Sequence, residues 1–173
     1  LSDIQYKTVH GDASVPEVRE VVFDSRKAVQ GTVFNAMKGA NVDAHRFIPA
    51  VIAQGCQAIV IEEDPSAFGL ELETVPAEVA IIRVENARAS LAALSAARFD
   101  HPSREMTVIA ITGTKGKTTT AHMIQQILED AGEKVGCIGT TGVEYCGHHL
   151  PTKNTTPESY DLQHYFRMMR DEG

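Results

Sequence analysis

The chain has 173 residues, 43% of them hydrophobic, which is enough to build a packed core and too many for a disordered polyelectrolyte. Lys and Arg number 16 against 23 Asp and Glu, a formal net charge of -7, so the surface lacks the basic face that nonspecific nucleic-acid or anionic-membrane binding requires. No apolar run approaches the ~18 residues that cross a bilayer, the longest being strand-sized like Val79-Ala80-Ile81-Ile82, and membrane insertion is excluded.

Leu1 to His10 shows no basic segment leading into an apolar one, so no secretory signal is read there, and the absence of an initial Met leads us to expect that a preceding piece has been trimmed. Cys56, Cys137 and Cys146 form no CxxC pair and are read as reduced thiols of a cytoplasmic protein. Short β-rich runs then alternate with helical ones. Glu20 to Phe23 and Thr32 to Met37 read as strands. Arg46 to Gln54 reads as a helix with Phe47, Ile48, Val51 and Ile52 on one face and Gly55 ending it. Gln57 to Ile61 is a buried strand, with the acidic run Glu62-Glu63-Asp64 as its solvated end. Asp64 to Glu78, with Pro65, Gly69 and Pro76, is irregular. Val79 to Val84 is a strand, and the Ala- and Leu-rich Ala89 to Phe99 a helix. This β/α alternation predicts a mostly parallel sheet covered by helices.

The polar, proline-containing run Asp100 to Glu105 marks a domain boundary, dividing the chain into residues 1–104 and 105–173. Beyond it the alternation restarts: Met106 to Thr112 as a strand, a Gly-rich turn, a helix from Lys117 to Ala131 stopped by Gly132, a strand over Lys134 to Gly139, and a helix starting over Asp161 to Met169. Those residues hold one βαβ unit, which takes ≈ 30 residues, so the chain is expected to stop inside a larger parallel-sheet domain.

The turn is the most informative stretch. Ile109-Ala110-Ile111-Thr112 runs into Gly113-Thr114-Lys115-Gly116-Lys117-Thr118-Thr119, and the helix opens at once. Such a turn aims backbone N–H groups and the positive end of a helix dipole at one anion-sized volume. Gly113 and Gly116 let the backbone approach phosphate oxygens, Lys117 sets an ammonium near the β- and γ-phosphates, the Thr118 hydroxyl is a Mg²⁺ ligand, and Thr119 adds a further donor. The pattern GxxxxGK[ST] would need Gly where Ile111 stands, so this is a shorter variant, GxxGKT. It predicts a bound triphosphate and leaves the reaction open.

Around this turn the chain resembles the Mur ligase family of ATP-dependent amide-forming enzymes of peptidoglycan precursor synthesis. Thr112 to Thr120 is similar to the family's ATP loop, with Lys115 where Asn is more usual. Gly139-Thr140-Thr141-Gly142 and Asn154-Thr155-Thr156-Pro157-Glu158-Ser159 resemble the branch that adds the third amino acid to UDP-N-acetylmuramoyl-dipeptide. Upstream, Asp24-Ser25-Arg26, Gly31-Thr32-Val33-Phe34, Lys38-Gly39 and Asp43-Ala44-His45-Arg46-Phe47-Ile48 look like its uridine-binding domain.

The resemblance implies an α/β uridine-binding domain followed by the first part of a P-loop-type, parallel-sheet ATP-binding domain. Phe23 and Ser25 would flank uracil and ribose, Ala40, Asn41 and Val42 would contact the UDP part, and Asn154, Thr155 and Thr156 would hold the muramoyl-dipeptide. Gly113 to Thr119 would bind ATP, Lys117 would be catalytic, and Thr118 would ligate Mg²⁺. The substrates implied are ATP, UDP-N-acetylmuramoyl-dipeptide and a free amino acid, with an acyl phosphate between them. The modified lysine, the remaining metal ligands and the amino-acid-selecting domain would lie beyond Gly173, so these residues alone are expected not to turn over.

Simpler readings stand beside these. Asp24-Ser25-Arg26 also suits a turn with a surface ion pair, and Thr156 also suits a helix N-cap with Pro157 at N1. His148-His149, in a hairpin or loop, diverge and do not read as a metal pair; His122 reads as a surface or second-layer residue and not as an acid–base catalyst. Two further classes stay open: another ligase of the superfamily, of the cyanophycin- or folylpolyglutamate-synthesising kind, and a noncatalytic nucleotide-binding module.

Overall fold

The computed structural model describes residues 2–14, 17–39, 42–152 and 154–173. Contacts divide the chain into two compact units, Leu1–Arg98 and Phe99–Gly173.

The first unit is a five-stranded sheet of β1 (Tyr6–His10), β2 (Glu20–Val22), β3 (Thr32–Asn35), β4 (Ala58–Ile61) and β5 (Ala80–Val84), in the order β1-β5-β4-β3-β2. β2 to β5 are mutually parallel and β1 runs antiparallel at the edge. The inner strands β3, β4 and β5 are mostly apolar because helical or irregular segments cover both faces. One face carries Val22, Phe34, Ile59, Ile61 and Ile81, which cluster with Ile48 and Val51 of α1 (Ile48–Ala53) and with Val75 and Val79. Against the other lies α2 (Ala87–Arg98), burying Ala87, Ser90, Leu91 and Ser95. The irregular stretch after β4 holds two short 3-10 turns, Pro65–Phe68 and Leu72–Thr74, whose Phe68, Leu70 and Leu72 pack on the first face.

β1 went unread in the sequence. Its five residues are exposed or half-buried, so they lack the apolar run that marks the inner strands. Its register shifts between Thr8 and His10, and His10 Nδ1 lies 2.8 Å from the Val79 carbonyl.

The second unit contains α3 (Lys117–Asp130), a three-stranded antiparallel meander of β6 (Gly136–Gly139), β7 (Gly142–Tyr145) and β8 (His148–Leu150), and α4 (Ser159–Asp171). Residues 99–105 belong with it. Phe99 is buried with ring centroids 5.2 Å from Tyr160 and 5.3 Å from His164, and Arg167 and Arg170 reach Asp100 and Glu105 at 2.9 Å each. The polar run read as a domain boundary is thus strapped onto α4, and the contact division falls at Arg98/Phe99.

Two expectations are corrected here. Met106 to Thr112 forms no strand among the described residues: it has no ladder partner, and Val108 and Ile109 are 49% and 55% exposed. β6 instead pairs antiparallel with β7, so hydrophobicity alone did not supply the neighbour that a strand needs. The second correction concerns α4, which starts two residues after Pro157, with extended Glu158 as N-cap and no side-chain capping bond. Neither Thr156 as cap nor Pro157 at N1 is realised; Asp161 supplies the acidic group in the first turn.

Candidate functional site

In the second unit the loop leaves an extended segment and turns into α3. Gly116 is the N-cap at φ +79, a left-handed conformation that a side chain resists, and with no side chain it leaves the first N–H groups of α3 without a side-chain cap. Nothing lies within 4 Å of where a Cβ on Gly116 would stand, so the demand is on backbone conformation and approach, not on space. Residues 112–116 are exposed, and Lys117 and Thr118 half-buried. The Lys117 ammonium donates to the Gly113 carbonyl at 2.6 Å, folding the side chain back over the turn. Thr114 and Lys115 precede, and Thr118 and Thr119 lie in the first turn of, a 14-residue helix whose positive dipole end is at this turn.

Thr118 Oγ1 lies 3.0 Å from Thr140 Oγ1. Thr140 and Thr141 form the two-residue turn between the paired Gly139 and Gly142. Gly142 sits at φ +120, and a Cβ there would stand 2.5 Å from the Leu150 carbonyl, so only glycine fits the approach of β8. Thr152 Oγ1 donates to the Gly139 carbonyl at 3.5 Å. Asn154, Thr155 and Thr156 form an exposed bend before α4. Among the described residues no group of three or more His, Cys, Asp or Glu could hold a metal ion. The Thr118 hydroxyl therefore fits a cation only as one ligand beside phosphate oxygens and water, which is how Mg²⁺ is commonly held.

His122 is half-buried, with Nδ1 3.3 Å from Gln125 Oε1 on its own helix. His149 pairs with Glu144 at 3.4 Å and His148 with Glu172 at 3.9 Å, so the adjacent histidines do diverge. Cys137 is half-buried, and burial first, then the cross-strand Glu144 carboxylate, push its thiol above its ordinary pKa. Cys56 is buried, Cys146 exposed, and all three are free thiols.

In the first unit the described candidates Phe23, Ser25 and Val42 follow the carboxyl ends of β2 and β3, the side where open α/β sheets bind ligands. Phe23, half-buried, follows β2, and Ser25 opens the 3-10 turn Ser25–Lys27. Asp24 caps that turn through the Arg26 N–H and forms a bidentate pair with the Arg26 guanidinium, Nη2 to Oδ2 being 2.6 Å. The hydrogen bond from the Arg26 side chain, with help from its backbone N–H, holds the Asp24 carboxyl down at about 2. An NMR titration should show Asp24 ionising near there and Arg26→Ala returning it toward the ordinary ~3.9. The folded-state value is depressed, so this pairing stabilises above the ordinary carboxyl pKa and is lost as pH falls through about 2. An Asp24 that titrates normally in the wild type would show the pair to be absent.

After β3, Lys38 bridges to Asp43, and the Gly39 N–H donates to the Val42 carbonyl at 2.9 Å, leaving Val42 46% exposed. Ala40 and Asn41 lie outside the described residues. Next to this loop, His45 is fully buried. Its Nε2 accepts from the Glu62 N–H at 3.2 Å, so Nδ1 carries the proton and donates to Asp43 Oδ1 at 2.6 Å.

The acidic run after β4 is not simply solvated. Glu62 accepts from the Ala87 N–H at the start of α2 (2.8 Å), while Glu63 pairs with Lys38 and Asp64 with Arg83, both at 3.1 Å. These carboxylates and His45 tie together the strand ends that the sequence reading treated separately. Their signal is only the position just after a strand, which does not name a partner.

The model described as "Mur ligase family, catalytic domain" matches residues 17–99, and that described as "Mur ligase middle domain" matches residues 111–173. The whole chain is 36% identical to 34% of a UDP-N-acetylmuramoyl-L-alanyl-D-glutamate–2,6-diaminopimelate ligase of Clostridium perfringens. Over 99% of its length it is 35% identical to 33% of the enzyme of that name from Bacillus velezensis. It thus spans about a third of the length of the curated relatives it matches. A solved structure bearing the same name covers 90% of the chain and 30% of its own, with a TM-score of 0.65 at 21% identity, a likeness of fold. With one model matched in each unit and relatives aligned across both, the chain belongs to the Mur ligase family.

Proposed function

We propose that the protein is an ATP-dependent ligase that adds the third amino acid to UDP-N-acetylmuramoyl-L-alanyl-D-glutamate in the cytoplasm, during peptidoglycan precursor synthesis. The observation that carries the nucleotide half is the Gly113-to-Thr119 turn opening into α3, with Lys117 folded over it. The dipeptide substrate and the choice of 2,6-diaminopimelate as the first amino acid to test are supported by the relatives' names. No described helix is long and apolar enough to cross a membrane.

The substrate carboxylate attacks the γ-phosphorus of ATP, releasing ADP and leaving an acyl phosphate. The amine of the incoming amino acid then attacks the acyl carbon, loses its proton, and expels phosphate as the amide forms. A carboxylate is a poor electrophile, and phosphorylation supplies its leaving group. Lys117 and the N–H groups of the turn meet the phosphate oxygens and offset the charge in transfer, by position and electrostatics. Mg²⁺, with Thr118 as its ligand from this chain, would neutralise the β- and γ-oxygens further. In the first unit, which we take as the uridine-binding part, Phe23, Ser25, Ala40, Asn41 and Val42 would hold the UDP end; in the second, the ATP-binding part, Asn154, Thr155 and Thr156 would hold the dipeptide end.

The test is ADP and amide release by the protein as its gene encodes it, with UDP-N-acetylmuramoyl-dipeptide and each candidate amino acid. Diaminopimelate-dependent product is expected. Ser25→Ala should weaken the UDP substrate by about 0.5–1.5 kcal/mol, up to roughly tenfold, with ATP affinity unchanged. Absence of amide with every amino acid would overturn the ligase reading, and full UDP-substrate affinity in Ser25→Ala would overturn the role of that residue.

A further inference from the structure

We infer that Thr140, in the turn between β6 and β7, is a positioning residue that orients the Thr118 hydroxyl toward a nucleotide-bound cation. This rests on the reading of the Gly113-to-Thr119 turn as a nucleotide site.

A hydroxyl that ligates a cation does so through an oxygen lone pair, and its proton must then point to an acceptor elsewhere. Thr118 Oγ1 has Thr140 Oγ1 at 3.0 Å. With a cation on Thr118, the direction of that bond is settled: Thr118 donates and Thr140 accepts. Thr118 is the second residue of α3, so no preceding helical turn offers a carbonyl to its hydroxyl, and the acceptor it has lies outside the helix.

Thr140 is well placed for the task. Its turn has two residues, closed by the Gly139–Gly142 pair, and the fit of Gly142 against the Leu150 carbonyl leaves the turn little room to shift. The side chain is β-branched, so few χ1 rotamers compete. The meander thus serves as a rigid mount for one acceptor oxygen facing the first turn of α3, against which β6 packs.

Two variants test this in the protein as its gene encodes it: Thr140→Val, which keeps the shape and removes the hydroxyl, and Thr140→Ser, which keeps the hydroxyl. The readout is calorimetric affinity for ADP with Mg²⁺ and with chelator in its place. Thr140→Val should weaken Mg-ADP about three- to tenfold, the effect of one lost hydrogen bond. Metal-free ADP should bind as to wild type, and Thr140→Ser should stay within about twofold of wild type in both conditions. An equal loss with and without Mg²⁺ would make Thr140 merely structural and overturn the inference, as would wild-type behaviour of Thr140→Val or a Ser variant as weak as Val. If the wild type binds ADP in neither condition, the nucleotide reading beneath the inference falls instead.

Discussion

Lys117→Ala is expected to lower ATP-dependent turnover by at least about 10²-fold, the scale of removing one preorganised charge-stabilising donor. Two things are lost together. The ammonium that would face the phosphates disappears, and so does its 2.6 Å bond to the Gly113 carbonyl, which draws the turn closed over the start of α3. Lys117→Arg is not expected to restore activity, because a planar five-donor fork does not replace a compact ammonium in a turn this tight. Affinity for the UDP substrate should stay at the wild-type value, since the uridine candidates Phe23, Ser25 and Val42 belong to the other unit. Steady-state assay of ADP release, beside titration of the UDP substrate, separates the two effects. Wild-type turnover in Lys117→Ala would remove the turn from the chemistry.

Phe34→Ala should destabilise the first unit by about 3–5 kcal/mol. Phe34 is fully buried on the inner strand β3, between β4 and β2, in the cluster formed by Val22, Ile48, Val51, Ile59, Ile61 and Ile81. Removing the ring forfeits its transfer free energy and leaves a cavity that parallel strands on either side close only in part. Against the 5–15 kcal/mol that holds a typical domain together, the loss is large. Phe34→Leu, which keeps most of the volume, should cost less than half as much. Denaturant unfolding followed by a probe in residues 1–98 measures both. A change below about 1 kcal/mol in Phe34→Ala would show that this face of the sheet is not the stabilising core.

The parallel strands were legible because each lies in a short, mostly apolar run: the segments read at 20–23, 32–37, 57–61 and 79–84 contain β2 to β5. The helices at 87–98, 117–130 and 159–171 were legible from period and composition, as was the turn from the spacing of Gly113, Gly116 and Lys117. Met106 to Thr112 carries the same apolar signal as β4 yet forms no strand among the described residues. Apolar character marks a segment for burial, whereas a strand exists only when a neighbour accepts its hydrogen bonds.

The candidate site divides the same way. Sequence by itself determined the type and order of most elements and the residues at the helix start, because each depends on neighbours within a few positions, and the family through the order of such local motifs along the chain. Tertiary structure decided that β1 closes the sheet by an antiparallel edge, that Glu62 reaches the Ala87 N–H 25 residues away, and that His45 is buried with its Nε2 on the Glu62 N–H. It also brought Thr140 to Thr118 across 22 residues of chain. Such pairings depend on strand register and on how a helix packs over a sheet, so the residues that meet are set by long-range packing that no local pattern encodes.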